Sequence, residues 1–231
     1  MIKLKGKNAF ITGSSRGIGQ QIAIGLARYG CNIIVHGRKA ENNIKTLELL
    51  KDYAVKTYSV FGDLSDDHQL SDLISQVRTL NVPVDILYNN AAIMREYRED
   101  IWAHTTEDWL ETYKVNVLAM YKLCSAFIPA MIKNGFGRVV NTTSRIMNKP
   151  QLAPYGASKW AVDKLSHDLA SALENTPVRI NYIDPGWIKT DLGGENAEHS
   201  VEAVLPGILA PVLVEDGGPN GQFFSAIGAK I

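Results

Sequence analysis

The chain has 231 residues, of which 45% are hydrophobic and 21% charged, which suits one α/β domain or at most two small ones. Lysines and arginines number 24, as do aspartates and glutamates, so the formal net charge is zero. That balance excludes general attraction to nucleic acid or to an anionic membrane and leaves room only for local basic patches.

The first residues run directly into a strand-like segment, with no apolar leader, and no run of about 18 or more apolar residues suggests a membrane span. Residues 8–12 (NAFIT) predict a short buried strand. Residues 17–30 predict a helix, with Ile18, Ile22, Leu26 and Tyr29 at helical spacing and Gly30 as its stop. The second strand is 32–37 (NIIVHG), followed by a helix over 41–51, a strand over 54–60, a helix over 66–80 and a strand over 84–90 (VDILYNN). A long helical stretch covers 106–133, and 137–144 (GRVVNTTS) is a strand with a polar exit. A helix over 155–174 turns Val162, Leu165, Leu169 and Leu173 inward. The strand 178–184 is stopped by Pro185 and Gly186, the stretch 193–221 reads as loop and short helix, and a last strand lies near 220–225. Strands separated by helices imply an α/β doubly wound parallel sheet of about seven strands, helices on both faces and all strand C-termini at one edge. No linker or repeat divides the chain, so residues 1–231 are expected to form a single domain. Cys31 and Cys124, the only cysteines, lack partners at metal-ligand spacing, which favours a reducing, cytoplasmic setting over a disulfide scaffold or metal site.

The turn TGSSRGIG at 12–19 follows the first strand and opens the first helix. Gly13 can make the tight turn, while Gly17 and Gly19 let backbone approach a phosphate and the helix approach the sheet. The N–H groups at the helix start then face the anion. No Gly-Lys-Ser/Thr closes the turn, so it is not an ATPase loop. The second strand ends in HGRK, with no carboxylate between Asn32 and Ala40 to hold ribose hydroxyls. Arg38, Lys39 and Arg16 either face a 2′-phosphate or form a solvated basic turn. An aspartate in place of Gly37 is expected to repel that phosphate and favour NAD(H). Asp63, with Leu64 beside it, either accepts from an adenine amino group or caps the helix starting near Asp66. Asn89 and Asn90 close the fourth strand, where a ligand would pass.

Lys159 lies one helical turn beyond Tyr155 on the same face. A nearby ammonium favours phenolate, so Tyr155 is expected to have a lowered pKa and to act as general acid or base. Ser144 leaves the preceding strand at the same edge, where its hydroxyl can hold a carbonyl oxygen. Asn116 sits inside the long helix, and its side-chain amide is expected to bind a water and extend a relay through Lys159. Ser144 does not lie in a nucleophile elbow, no histidine has metal-site spacing, and the four tryptophans do not stripe a basic face.

With TGSSRGIG (12–19), NNAA (89–92), Asn116, Ser144, YGASK (155–159) and PGWIKTD (185–191) in this order, the chain resembles the short-chain dehydrogenase/reductase family over essentially its whole length. The resemblance implies a Rossmann fold and an oxidoreductase that moves a hydride between NADP(H) and a small-molecule carbonyl or alcohol, with no nucleic acid or membrane partner. It implies that Tyr155 is the acid/base, that Lys159 binds the nicotinamide ribose, that Ser144 orients the substrate oxygen and that Asn116 supports the relay. The cofactor is implied to lie on Gly13, Ser15, Arg16, Gly17, Ile18, Gly19, Arg38, Asp63, Leu64, Asn90, Ala91, Tyr155, Lys159, Pro185, Gly186, Ile188 and Thr190. Arg16 and Arg38 look like the basic residues of NADP-preferring members, and Gly37 stands where NAD-preferring members often carry aspartate. Ala92 stands where the family usually has glycine, and the interval from Ser144 to Tyr155 is shorter than its usual one. Thr142 and Thr143 compete for the role of the serine, and the strand alignment favours Ser144. Met94, Arg145, Ile146, Met147 and Trp187 are expected to wall the substrate pocket, under a mobile cover at 192–205. A homodimer or homotetramer built on the helices 106–133 and 155–174, whose outward faces carry Trp109, Tyr113 and Trp160, is expected from the same resemblance. The family leaves dehydration or epimerisation open, and a non-catalytic NADP(H)-binding regulator is the reading from a different class.

Overall fold

The computed structural model describes residues 4–229. In chain order it comprises β1 (Asn8–Ile11), α1 (Gly17–Arg28), β2 (Asn32–Gly37), α2 (Ile44–Leu50), β3 (Thr57–Phe61), α3 (Asp67–Thr79), β4 (Ile86–Asn89), α4 (Thr106–Tyr113), α5 (Met120–Lys133), β5 (Gly137–Thr142), α6 (Ala153–Ala172), β6 (Val178–Asp184) and β7 (Phe223–Ser225). The strands form one seven-stranded sheet in the order β3-β2-β1-β4-β5-β6-β7, and every pairing is parallel. The order reverses between β1 and β4, and a sheet that winds both ways from that point opens a crevice there at the strands' C-terminal edge.

Each buried strand feeds two layers, because successive side chains point to opposite faces. Phe10, Leu87 and Val139 pack with Leu73, Leu123, Phe127 and Val162 on the face covered by α3, α5 and α6. Ile11, Tyr88 and Val140 pack with Ile22, Leu26, Leu50 and Ile208 on the other. Of the helix positions expected inward, Val162 and Leu173 are buried, and Leu165 and Leu169 pack partly buried against the first layer.

The elements differ locally from the sequence reading. The helix expected over 41–51 opens as a 3-10 turn at Ala40–Asn43 before α2. The third strand starts at Thr57 rather than at 54, as an edge strand with alternating exposure. The long helix is interrupted by a π-helical turn at Lys114–Ala119, between α4 and α5. The run Thr106–Lys133 is long and apolar enough by length and composition to cross a membrane, although polar and charged residues interrupt it so that no 18 apolar residues follow one another. Its apolarity has another use, since Leu123, Phe127 and Met131 are buried against the sheet.

Candidate active site

The glycine turn is held in shape before any ligand is considered. Thr12 Oγ1 accepts from the backbone N–H groups of Asn90 (3.0 Å) and Ala91 (3.1 Å), tying the exits of β1 and β4 together. Gly13, at φ +64°, donates its N–H to Nδ1 of His36 at 3.0 Å. The other ring nitrogen of His36 donates to the Gly62 carbonyl at 3.1 Å. Burial holds this imidazole neutral, with its pKa lowered to about 4. A Cβ on Gly19 would run into the carbonyl of Gly13 and stand 2.7 Å from Asn90 Nδ2, so α1 approaches the turn as only glycine allows. Arg16 occupies the N-cap of α1 without a side-chain bond to the helix start. The first N–H groups of α1, at Gly17 and Ile18, are therefore not capped by a side chain. Thr190 Cγ2 would lie 3.3 Å from a Cβ on Gly17, so the turn faces the segment after β6 across a narrow gap.

At the end of β2, Arg38 and Lys39 are exposed. Arg16 pairs with Asp191 at 3.0 Å, both side chains well exposed. The two readings of Asp63 separate here, because Asp66 caps α3 through the N–H groups of His68 and Gln69. Asp63 instead accepts from Ser65 N (2.8 Å) and Ser65 Oγ (2.7 Å), and Leu64 beside it is buried in the core.

On α6, Lys159 is buried and donates from Nζ to the Thr142 carbonyl at 2.8 Å. Its Nζ stands 5.6 Å from the centroid of the Tyr155 ring. Burial lowers the Lys159 pKa to about 8, opposed by the charges of Asp163 and Asp184. The Tyr155 phenol is pushed upward, first by burial and then by Asp184, while the facing Ser144 hydroxyl opposes the rise. This corrects the expectation of a lowered phenol pKa in the ligand-free protein. Taking both groups out of water favours their neutral forms, and for the phenol that outweighs the neighbouring ammonium.

Asn116 lies in the π-helical turn, where it is buried. Its amide donates to Ile93 O (3.0 Å) and Ser158 Oγ (2.9 Å), and its Oδ1 accepts from Ile93 N (2.9 Å). Both amide hydrogens are committed, so the side chain ties the β4 exit to α6. Ser158 in turn donates to the Tyr155 carbonyl at 2.7 Å, which links that tie to the helix turn bearing the phenol.

The substrate side differs more from expectation. Arg145 is spent: its guanidinium lies 3.8 Å from the Phe223 ring centroid and pairs with Asp163 at 2.9 Å. The Trp187 indole is half exposed, and its Nε1 donates to the Gly193 carbonyl at 2.8 Å. Met94 and Ile146 are half-buried, and Met147 is exposed. Residues 187–199 are pinned rather than loose. Lys189 N donates to His199 O (2.8 Å), His199 N to Trp187 O (3.2 Å) and Gly194 N to Thr190 O (2.8 Å). Ile188 is buried in the core layer. Pro185 and Gly186 follow β6 directly, with Gly186 at φ +85°.

Three residues that hold this site went unread in the sequence. Thr12 looked like the last residue of a strand, His36 like a buried strand position, and Asp184 like the residue before a turn. Only the meeting of several chain segments gives them partners, and the one local signal was the polar character of Thr12 and His36 in otherwise apolar strands.

Residues 7–201 match the short chain dehydrogenase family, and the chain belongs to it. It is 32% identical over 194 residues to a gluconate 5-dehydrogenase of Gluconobacter oxydans, covering 83% of this chain and 75% of the relative. It is 31% identical over 208 residues to a 3-oxoacyl-[acyl-carrier-protein] reductase of Pseudomonas aeruginosa, covering 88% and 83%. Among solved structures, a 3-oxoacyl (acyl-carrier-protein) reductase of Agrobacterium tumefaciens with NADP bound superposes with TM-score 0.87 at 26% identity, covering 98% of this chain and 95% of the other. A gluconate 5-dehydrogenase of Burkholderia cenocepacia in complex with NADP and tartrate gives 0.83 at 26% identity, covering 98% and 95%. The chain is thus an oxidoreductase of the short-chain type, acting on a carbonyl or alcohol.

Proposed function

We propose that this chain is an NADP(H)-dependent carbonyl reductase, or the reverse alcohol dehydrogenase, with Tyr155 as acid/base and Ser144, Lys159 and Asn116 in support. The carrying observation is the convergence of the Tyr155 phenol, the Ser144 hydroxyl and the Lys159 ammonium at the exit of β5, beside the glycine turn. The turn, the uncapped start of α1, and Arg16 and Arg38 with no carboxylate at the end of β2 fit NADP(H). Gly13, Ser15, Arg16, Gly17, Ile18 and Gly19 would hold the pyrophosphate and 2′-phosphate end. Asp63, Leu64, Asn90 and Ala91 would flank the adenosine, and Pro185, Gly186, Ile188 and Thr190 the nicotinamide.

The cofactor, when bound, supplies or accepts a hydride. Tyr155 gives its phenolic proton to the carbonyl oxygen, leaving a phenolate that the Lys159 ammonium stabilises. Ser144 donates a hydrogen bond to the same oxygen and so fixes the carbonyl in place. Asn116 keeps α6 in register with the β4 exit. Alcohol oxidation runs the same proton back to the phenolate.

The relatives named as a gluconate 5-dehydrogenase and a 3-oxoacyl-[acyl-carrier-protein] reductase frame the substrate search. Residues 192–205 cover that substrate as part of one functional unit. The exposed Trp109, Leu118, Tyr121 and Trp160 on α4–α6 and the turn between α4 and α5 support a homodimer or homotetramer, for which sedimentation at micromolar concentration is the test. The two free, buried cysteines fit a cytoplasmic setting. The decisive experiment follows NADPH and NADH oxidation with keto-sugar acids, 3-oxoacyl thioesters and small diketones. Turnover of at least one carbonyl, faster per unit concentration with NADPH, is expected; no turnover of any would overturn the reading.

A further inference from the structure

The exit of β6 carries a carboxylate whose position exceeds the needs of a turn. Asp184 Oδ1 accepts from Gly186 N at 2.8 Å, and its Oδ2 accepts from Arg145 N at 2.9 Å. One oxygen therefore closes the turn that leads to the nicotinamide side of the cleft. The other holds the residue following Ser144, whose hydroxyl faces the phenol. The two bonds lock the exits of β5 and β6 together at the point where the substrate oxygen has to sit.

We infer that Asp184 is a positioning residue for the reaction: it fixes Ser144 through the neighbouring backbone and sets its carboxylate between the exits of β5 and β6, where Lys159 Nζ meets the Thr142 carbonyl. Among the described residues, no cation stands at ion-pair distance from the Asp184 carboxylate. Arg145, from the same loop, offers Asp184 only its backbone N–H, because its guanidinium is paired with Asp163. Asp163, on α6 beyond Lys159, adds a second negative charge on the side of the lysine. His167, further along α6, is bonded to Tyr182. His199 lies 3.9 Å from where a Cβ on Gly186 would stand, and its ring approaches Glu198 at 3.7 Å. The sign is the same for both members of the pair. A negative charge disfavours phenolate on Tyr155 and favours ammonium on Lys159.

The inference rests on the proposed reaction, so its test has one arm that needs no turnover. Asp184→Asn removes the charge, and its amide oxygen can still accept from Gly186 N. Asp184→Ser is the second neutral variant should the first lose its cooperative thermal unfolding, and Asp184→Glu restores the charge. The first measurement is kcat/KM for carbonyl reduction by NADPH from neutral to alkaline pH. In the neutral variants the alkaline limb should move to lower pH by about half a unit or more, and with glutamate it should return toward wild type. The second is an NMR titration of isotopically labelled lysine in the cofactor-free protein, with Lys159 assigned by its loss in Lys159→Met. Lys159 should titrate lower in the neutral variants by a similar amount. A lysine titration unmoved in a folded neutral variant overturns the assignment, and so does an unmoved pH profile or a glutamate variant that behaves like the asparagine one. Failure of the wild type to oxidise NADPH would sink the proposed reaction, while the lysine titration would still judge Asp184.

Discussion

Lys159 is tethered to the sheet, not to the tyrosine: its Nζ donates to the Thr142 carbonyl at 2.8 Å, while the centroid of the Tyr155 ring is 5.6 Å away. The last residue of β5 thus fixes an ammonium that belongs to α6, and the spacing between catalytic strand and catalytic helix depends on it. Lys159→Met should leave the Thr142 carbonyl buried without its donor and remove the charge beside the phenol. NADPH affinity and single-turnover rate should both fall, the rate by about 10²-fold or more. Fluorescence titration and stopped-flow absorbance separate the two, and an unchanged rate would remove Lys159 from the reaction.

The same lysine sets a pH dependence. Burial lowers its pKa from 10.5 to about 8. The ammonium is present below that value and is lost as pH rises through it. Carbonyl reduction needs both the ammonium and a protonated Tyr155, so its rate should be level near neutrality and decline above about pH 8. The stability effect has the opposite sense. The cost of burying the ammonium applies below about pH 8 and is relieved between there and 10.5, so this group's contribution to stability rises across that window. A reduction rate that climbed steadily from pH 8 to 10.5 would contradict the lysine assignment.

Cofactor choice has to be tested at Arg38 rather than at Gly37. The sequence suggested that an aspartate at 37 would repel a 2′-phosphate and favour NAD(H). In the structure a Cβ there would stand 2.6 Å from Asn43 Oδ1 and 3.0 Å from Asn42 Cβ. Asn43 is fully buried and bonded to Ser59 and Val60, so it has little room to yield. Gly37→Asp should therefore lower the melting temperature as well as any affinity, and a loss of NADPH binding in it would be ambiguous. Arg38 is exposed, and Arg38→Leu should weaken NADPH binding by about tenfold, the scale of one charge-assisted hydrogen bond, with NADH binding nearly unchanged. The NADPH deficit should shrink at high salt. Equal losses for both cofactors would exclude a 2′-phosphate contact at Arg38.

How much of this was legible depended on how local each cause is. Strand and helix order could be read because apolar periodicity is written into consecutive residues, as in β2, which spans the expected 32–37. The glycine turn could be read because Gly13 and Gly17 need their positive φ within a few residues of a strand end. Asn116 was visible as a misfit in a helix, but its duty was not, since its partners Ile93 and Ser158 lie 23 and 42 residues away. Arg145 looked like a pocket wall because the sequence could not show Asp163 and Phe223 closing on its guanidinium. The direction of the Tyr155 shift was misread for a related reason: charge proximity can be guessed from an i, i+4 pair, whereas burial depends on the entire fold.

Tyr155 and Ser144 should separate in their kinetics, because one moves a proton and the other only holds an oxygen. Tyr155→Phe removes the hydroxyl and keeps the ring, which is buried and adjoins the Lys159 ammonium, so the fold and the NADPH site should survive. Loss of a positioned acid/base lowers the rate by about 10²–10⁴-fold, and single-turnover NADPH oxidation should fall into that range with affinity close to wild type. Ser144→Ala should cost less. It removes one hydrogen bond to the substrate oxygen, worth about 10²–10³-fold where such a donor acts on developing charge, and it also removes the hydroxyl that opposes the rise of the phenol pKa. The Ser144→Ala profile should therefore change shape with pH, whereas Tyr155→Phe should be slow at every pH. A Tyr155→Phe enzyme retaining more than about a tenth of the wild-type rate would show that the proton comes from elsewhere, and Thr142 and Thr143, at the same strand exit, would be the next groups to replace.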